Sequence, residues 1–165
     1  MCWPRLRQLM VSVMLSVVSC IPGAGMAEAQ ETKDLAVIVS AKNPVSDITM
    51  RELRRIFTGE RRGLDGQHDV LLMVPPPGTL ERDAMLRTIY NMSEAEYKNF
   101  WLGKKFRGEA VGEPLVVAST QLLNDGVAVM PGAIACIALQ GIRDARVKVL
   151  KVNGLLPGQN GYPVH

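Results

Sequence analysis

Two histidines, His68 and His165, and three cysteines, Cys2, Cys20 and Cys136, are all the imidazole and thiol this chain offers for metal binding or nucleophilic attack. No Cys or His pair has the spacing of a zinc site. Cys136 lies inside the apolar stretch 133–139, where a thiol is a small core side chain rather than a reactive one. Catalytic signatures are missing as well: there is no Gly-x-Ser-x-Gly elbow, no His-Glu-x-x-His and no Gly-x-x-x-x-Gly-Lys loop. Glu81 and Asp83 fall in the first turn of an expected helix, where the helix dipole alone favours acids. The residues argue against an enzyme and imply no metal and no organic cofactor.

The cationic groups are more numerous. Arg51, Arg54, Arg55, Arg61 and Arg62 cluster in and just after one expected helix, with Glu52 and Glu60 close by. Such a stripe reads first as a solvated face with local ion pairs, and second as a docking surface for an acidic partner. Lys104-Lys105-Phe106-Arg107 interleaves charge with an aromatic ring, as nucleic-acid binders do. The spacing of Phe106 from Trp101 and Leu102 assigns it to the core instead. Whole-chain charge is only +3, which gives no basis for a nucleic-acid partner.

The elements that must position these residues follow from hydrophobic periodicity. Leu35–Ser40 (LAVIVS) is a short β-branched apolar run and predicts a buried strand. Asn43-Pro44 ends it, and Ser46 or Asp47 is expected to cap a helix carrying Met50, Leu53, Ile56 and Phe57 inward, with Gly59 as its stop. Asp65-Gly66 is a tight-turn pair before a second strand at 70–74 (VLLMV). Pro75, Pro76 and Pro77 end that strand, and Thr79 is placed to cap a helix reaching about Tyr90, with Leu86, Ile89 and Tyr90 inward. Ser93 and Glu96 have the spacing of a capping box and open a helix carrying Tyr97, Trp101 and Phe106 inward. Residues 108–114 read as a loop. Ser119 or Thr120 starts a further helix ending near Met130, Pro131-Gly132 turns the chain into a strand at Ala133–Ala138, and 147–152 is a fourth strand. Residues 155–165 are Gly/Pro-rich and read as an irregular tail. Strands alternating with helices predict an α/β domain, a small sheet with helices on both faces.

The N-terminus carries a different signal. Arg5 and Arg7 precede an uncharged apolar stretch at 9–21, Pro22-Gly23 breaks it, and Ala27-Glu28-Ala29 supplies small residues for cleavage before Gln30. That is the layout of a cleavable secretion signal over residues 1–29, too short for a membrane span. The domain expected after it is 30–154, and removing Arg5, Arg7 and Glu28 leaves 17 basic against 15 acidic residues. Val17-Val18-Ser19-Cys20 loosely matches a lipobox, so lipid anchoring at Cys20 stands as the alternative to soluble release.

A family resemblance emerges from the order of several short motifs. Residues 46–59 (SDITMRELRRIFTG), followed by Asp65-Gly66, then Tyr97, Trp101 and Phe106-Arg107-Gly108, then Pro131-Gly132-Ala133-Ile134, then Gly161-Tyr162-Pro163, resemble landmarks of the substrate-binding proteins of phosphate ABC transporters. The resemblance implies a periplasmic-binding-protein-like fold of type 2, in which two lobes close over an anion. A two-lobed binder needs well over ~200 residues, so this chain holds one lobe, with a small mixed β-sheet flanked by helices. It further implies a periplasmic location, phosphate or another small oxyanion as ligand, and a membrane transporter or sensor protein as partner.

In the family an Arg and a Gly-Ser-Gly-Thr-like turn grip phosphate at a helix N-terminus. Here Gly78 and Thr79 match that turn and are the candidate ligand-binding residues, while Met73 stands at the Arg position and Pro77 at the Ser position. Methionine brings no charge, and proline neither hydroxyl nor N–H. The expected function is therefore weak solute or anion binding by an exported accessory of that transporter type. The alternative is an interaction or sensor module that kept the lobe and lost the ligand; a further one is that two copies associate to rebuild a cleft.

Overall fold

The computed structural model of the chain describes residues 34–109 and 113–165. The expected secretion signal, its cleavage site and Cys20 lie outside the described residues, as do three residues of the expected 108–114 loop.

Strand β1 (Leu35–Ser40) is buried along its whole length and pairs antiparallel with β5 (Ala133–Ala138), Leu35 opposite Ala138 through Val39 opposite Ile134. On its other side β1 pairs antiparallel with β6 (Val147–Val149). Strand β3 (Leu71–Val74) runs parallel to β5, and β4 (Leu115–Val116) runs parallel to β3 at the edge, giving a mixed sheet of order β4-β3-β5-β1-β6. A second, two-stranded parallel sheet joins β2 (Asp47–Ile48) to β7 (Lys151–Val152).

Alternation along the strands divides the apolar interior in two. Leu35, Val37, Val39, Leu72, Val74, Ile134 and Cys136 face a layer made by α1 (Met50–Phe57), α2 (Leu80–Met85), a π-helical turn α2′ (Leu86–Tyr90) and α3 (Glu94–Phe106). Ala36, Ile38, Met73, Ala135 and Ile137 face α4 (Thr120–Val129) through Leu123 and Val127. The domain is thus an α/β sheet covered on both faces, as the periodicity predicts.

Four details depart from that reading. Helix α1 is capped by Thr49, not Ser46 or Asp47: Thr49 accepts from the Glu52 amide, and the Glu52 carboxylate accepts from the Thr49 amide. Asp47 lies in β2 instead, and its carboxylate accepts from the Gly154 amide. Phe106 is 83% exposed, because it lies nine residues after Tyr97, half a turn out of phase with the inward row Tyr97, Trp101, Lys104. The fourth strand breaks at Leu150, whose amide still donates to Val37 while that of Lys151 donates to Ser46, so the chain passes from one sheet to the other. The short strands β2 and β4 carry too few residues to show a period.

Residues 155–165 hold no helix or strand but dock on β1. Tyr162 is buried and its hydroxyl donates to the Leu35 carbonyl at 2.8 Å, while the Leu35 amide donates to Val164. The Asp65-Gly66 turn forms as expected: Asp65 accepts from the amides of Gln67 and His68 and meets the His68 ring at 2.8 Å, and these bonds hold its carboxyl well below the usual range. At Gly132, which leads into β5, a Cβ would lie 2.2 Å from the Asp69 carbonyl oxygen. Gly132→Ala must therefore push the β3 and β5 approaches apart and should cost about 1–3 kcal/mol, read as a lowered urea midpoint with unchanged slope.

Candidate functional site

The turn that leads from β3 into α2 is built by local chemistry. Pro75 is buried at the strand end, and Gly78 takes φ of 85°, a left-handed conformation that glycine adopts freely. Thr79 is extended and is the N-cap of α2: its hydroxyl oxygen accepts from the Arg82 amide at 3.2 Å and its hydroxyl proton goes to the Pro76 carbonyl at 2.9 Å. The hydroxyl is thereby committed as a donor within the turn. An anion approaching here meets the amides of Leu80 and Glu81, which head the helix without intrahelical partners.

Met73 faces the other way. It is buried against α4, where a Cβ on Gly126 would lie 2.5 Å from its terminal methyl. The position read as the family's Arg is therefore core.

Beside the turn, α2 and α4 both present their first residues to a cavity of about 620 Å³. Glu81, Thr120, Gln121, Asn124, Asp125, Arg143 and Asp144 line it. Asn124 is fixed by its amide group, which donates to the carbonyls of Thr120 and Gly141 at 2.9 Å each, and its buried carbonyl oxygen has no partner among the described residues. Asp144 binds Arg146 through two contacts of 3.0 Å and accepts from its amide, which holds the Asp144 carboxyl below the ordinary carboxylate range. Glu81, Asp125 and Asp144 outnumber Arg143 among the lining residues, so the cavity offers acceptors and negative charge more than it offers donors.

The remaining residues singled out in the sequence do not converge. His68 belongs to the Asp65 turn and His165 contacts the Tyr162 carbonyl. Cys136 is fully buried, and burial pushes its thiol well above the usual range. Of the arginine stripe, Arg61 bonds Glu52 at 3.0 Å, Arg55 meets Glu60 at 3.9 Å and Arg54 reaches the Thr88 carbonyl at 3.2 Å, while Arg51 and Arg62 are exposed. Lys104 is buried and donates to the Thr58 carbonyl at 2.6 Å, which caps the end of α1.

Sequence reasoning missed Asn124, Arg143, Asp144 and the buried Arg82. The partner of Arg82 is Glu94, on the next helix, and nothing local in the sequence marks that pairing. Among the described residues no helix is long and apolar enough to cross a membrane.

Because the folded state holds Asp144 below its unfolded value of about 3.9, its contribution is present above that pH and is lost as pH falls through the folded value. Asp144→Asn should flatten the acid limb of stability below about pH 4, measured as urea midpoints across a pH series.

Comparison with solved structures places this architecture. It superposes on an ABC-type phosphate transport receptor from Vibrio cholerae with a TM-score of 0.60 and 18% identity, covering 75% of this chain and 48% of that one. A putative phosphate ABC transporter substrate-binding protein with bound phosphate from Clostridium perfringens gives 0.59 and 19%, covering 75% and 46%. PstS from Borrelia burgdorferi gives 0.57 and 17%, covering 79% and 53%. No family model matches the chain, and no curated protein matches it. The chain spans about half the length of the structures it matches, and its fold is that of a single lobe of a phosphate ABC transporter substrate-binding protein.

Proposed function

We propose that this chain is an exported accessory of the phosphate-transporter type, a single periplasmic lobe that holds a small oxyanion weakly at the Gly78–Thr79 turn and works beside a membrane transporter or sensor. The observation that supports it most is the fold match to phosphate receptors together with the retained strand, Gly-Thr turn and helix at this place. What the turn lacks sets the strength. Met73 supplies no guanidinium, Pro77 supplies no donor, and the Thr79 proton is already bonded to Pro76. A helix terminus contributes only about 0.3–1 kcal/mol toward an exposed anion, and Glu81 in the first turn opposes it. Binding of this kind suits a low-affinity sensor or carrier of abundant solute rather than a scavenging receptor.

Thermal melting in the presence of phosphate, sulfate and arsenate tests the reading, since a ligand of the native state raises its stability. Phosphate should produce a small shift that saturates only at millimolar concentration. Pro77→Ser, which restores a hydroxyl and an amide donor to the turn, should tighten binding several-fold. Thr79→Ala should cost about 1 kcal/mol of stability through the lost cap and weaken whatever shift the parent shows. A melting temperature unmoved by all three oxyanions, in the parent and in Pro77→Ser, would overturn the oxyanion reading in favour of an interaction module on the same lobe.

A further inference from the structure

Two Asn-Gly pairs, Asn153-Gly154 and Asn160-Gly161, lie close together in the sequence. A glycine after asparagine has no Cβ to shield its amide nitrogen, which can then reach the asparagine side-chain carbonyl carbon. Both pairs are exposed, yet the fold treats them differently. Asn153 is held in the left-handed region at φ of 55°. Its Oδ1 accepts from the Met50 amide at 2.9 Å, and its own amide donates to the Ile48 carbonyl at 2.9 Å. The Gly154 amide donates to Asp47 at 3.1 Å. Nucleophile and electrophile are both committed to other elements.

At the second pair both are free. Asn160 and Gly161 are the central residues of a turn closed by the Tyr162 amide, which donates to the Gln159 carbonyl at 3.0 Å. Gly161 takes φ of 86° there, a conformation glycine adopts without strain. The Gly161 amide and the Asn160 side chain have no hydrogen-bond partner among the described residues. Contacts with β1 and the residue before it lie on either side. The Gly158 amide donates to Asp34 at 2.6 Å, the Tyr162 hydroxyl reaches the Leu35 carbonyl, and the Leu35 amide donates to Val164 at 2.9 Å. Residues 158–164 are thus a strap tied down at both ends, with the Asn160-Gly161 turn between the ties.

We infer that Asn160, and not Asn153, is a site of spontaneous deamidation in the folded protein, and that its β-linked product loosens the strap. Hydroxide takes the Gly161 amide proton, the nitrogen bonds to Asn160 Cγ, and the Cγ–Nδ2 bond breaks as ammonia leaves with a proton from water. Water then opens the five-membered imide. Opening at the side-chain carbonyl gives aspartate; opening at the main-chain carbonyl gives β-aspartate, whose main chain runs through Cβ and Cγ. On either route one water is consumed and one amide becomes one carboxylate, with nothing oxidised or reduced. The β-linked form adds a methylene to the backbone of the turn, so the Tyr162 amide no longer meets the Gln159 carbonyl in the present geometry. None of this depends on whether an oxyanion binds at Gly78–Thr79.

The experiment incubates the full chain at mildly alkaline pH, folded and in guanidinium, and follows both pairs by peptide mass spectrometry. Isoaspartyl methylation marks the β-linked product. Folding should slow Asn153 at least about tenfold relative to its denatured rate, because freeing that pair breaks three hydrogen bonds. Asn160 should stay within a few-fold of its denatured rate, and Asn160→Gln should abolish conversion at this position. Hydrogen exchange at the Tyr162 and Leu35 amides should quicken several-fold in the β-linked fraction. Asn160→Asp, which adds the charge without the methylene, should leave that exchange unchanged. Equal slowing of both pairs on folding, or slowing of neither, would overturn the site. Exchange unchanged in the β-linked fraction, or quickened equally by Asn160→Asp, would overturn the loosening.

Discussion

The pairing of β1 with β5 fixes nearly everything else. Both strands are buried on both faces, so their backbone groups must bond to one another and their side chains must divide between two helical layers. Leu35, Val37 and Val39 go to one layer, Ala36 and Ile38 to the other. A slip of one residue would send large side chains into the space built for alanine and the reverse, so the register is held by volume as well as by hydrogen bonds. The parallel neighbour β3 takes its place from the same alternation, and with it the turn into α2.

From that frame the turn after β3 inherits its position, but its chemistry is local. Gly78 allows the left-handed step, Thr79 closes the cap, and the bond to Pro76 ties the hydroxyl back to the proline run. The result is a rigid helix start that resembles an anion cradle in outline while spending its hydroxyl proton on itself. The adjoining large cavity is richer in carboxylates than in cations. Fold and site therefore speak to different questions: the fold carries the likeness to phosphate receptors, and the site sets how much of their chemistry a single lobe with these residues could express.

Much of this was legible in the sequence wherever one element satisfies its own needs. Leu35–Ser40 and Ala133–Ala138 declare themselves because strands buried on both sides are apolar throughout. The Ser93 capping box and the Thr79 cap are four-residue motifs and form as read. The Thr49 box was present by the same rule and was hidden by the nearer Asp47. What stayed illegible depends on partners far along the chain. Asp47 is held by Gly154, Arg82 by Glu94, Asn124 by Gly141 and Leu35 by Tyr162. A residue's type states what it could bond, and only the packed fold states with whom.

The π-helical turn at Leu86–Tyr90 has a consequence of its own. A ring closed from one residue to the fifth beyond it holds one more residue than a regular helical turn. That extra residue rotates the end of the helix so that Ile89 and Tyr90 both enter the interior, and it delivers the Tyr90 hydroxyl to the Phe57 carbonyl at 2.6 Å. A regular α-helix over the same span would need one residue fewer. Such a helix would withdraw the phenol that anchors the end of its neighbour.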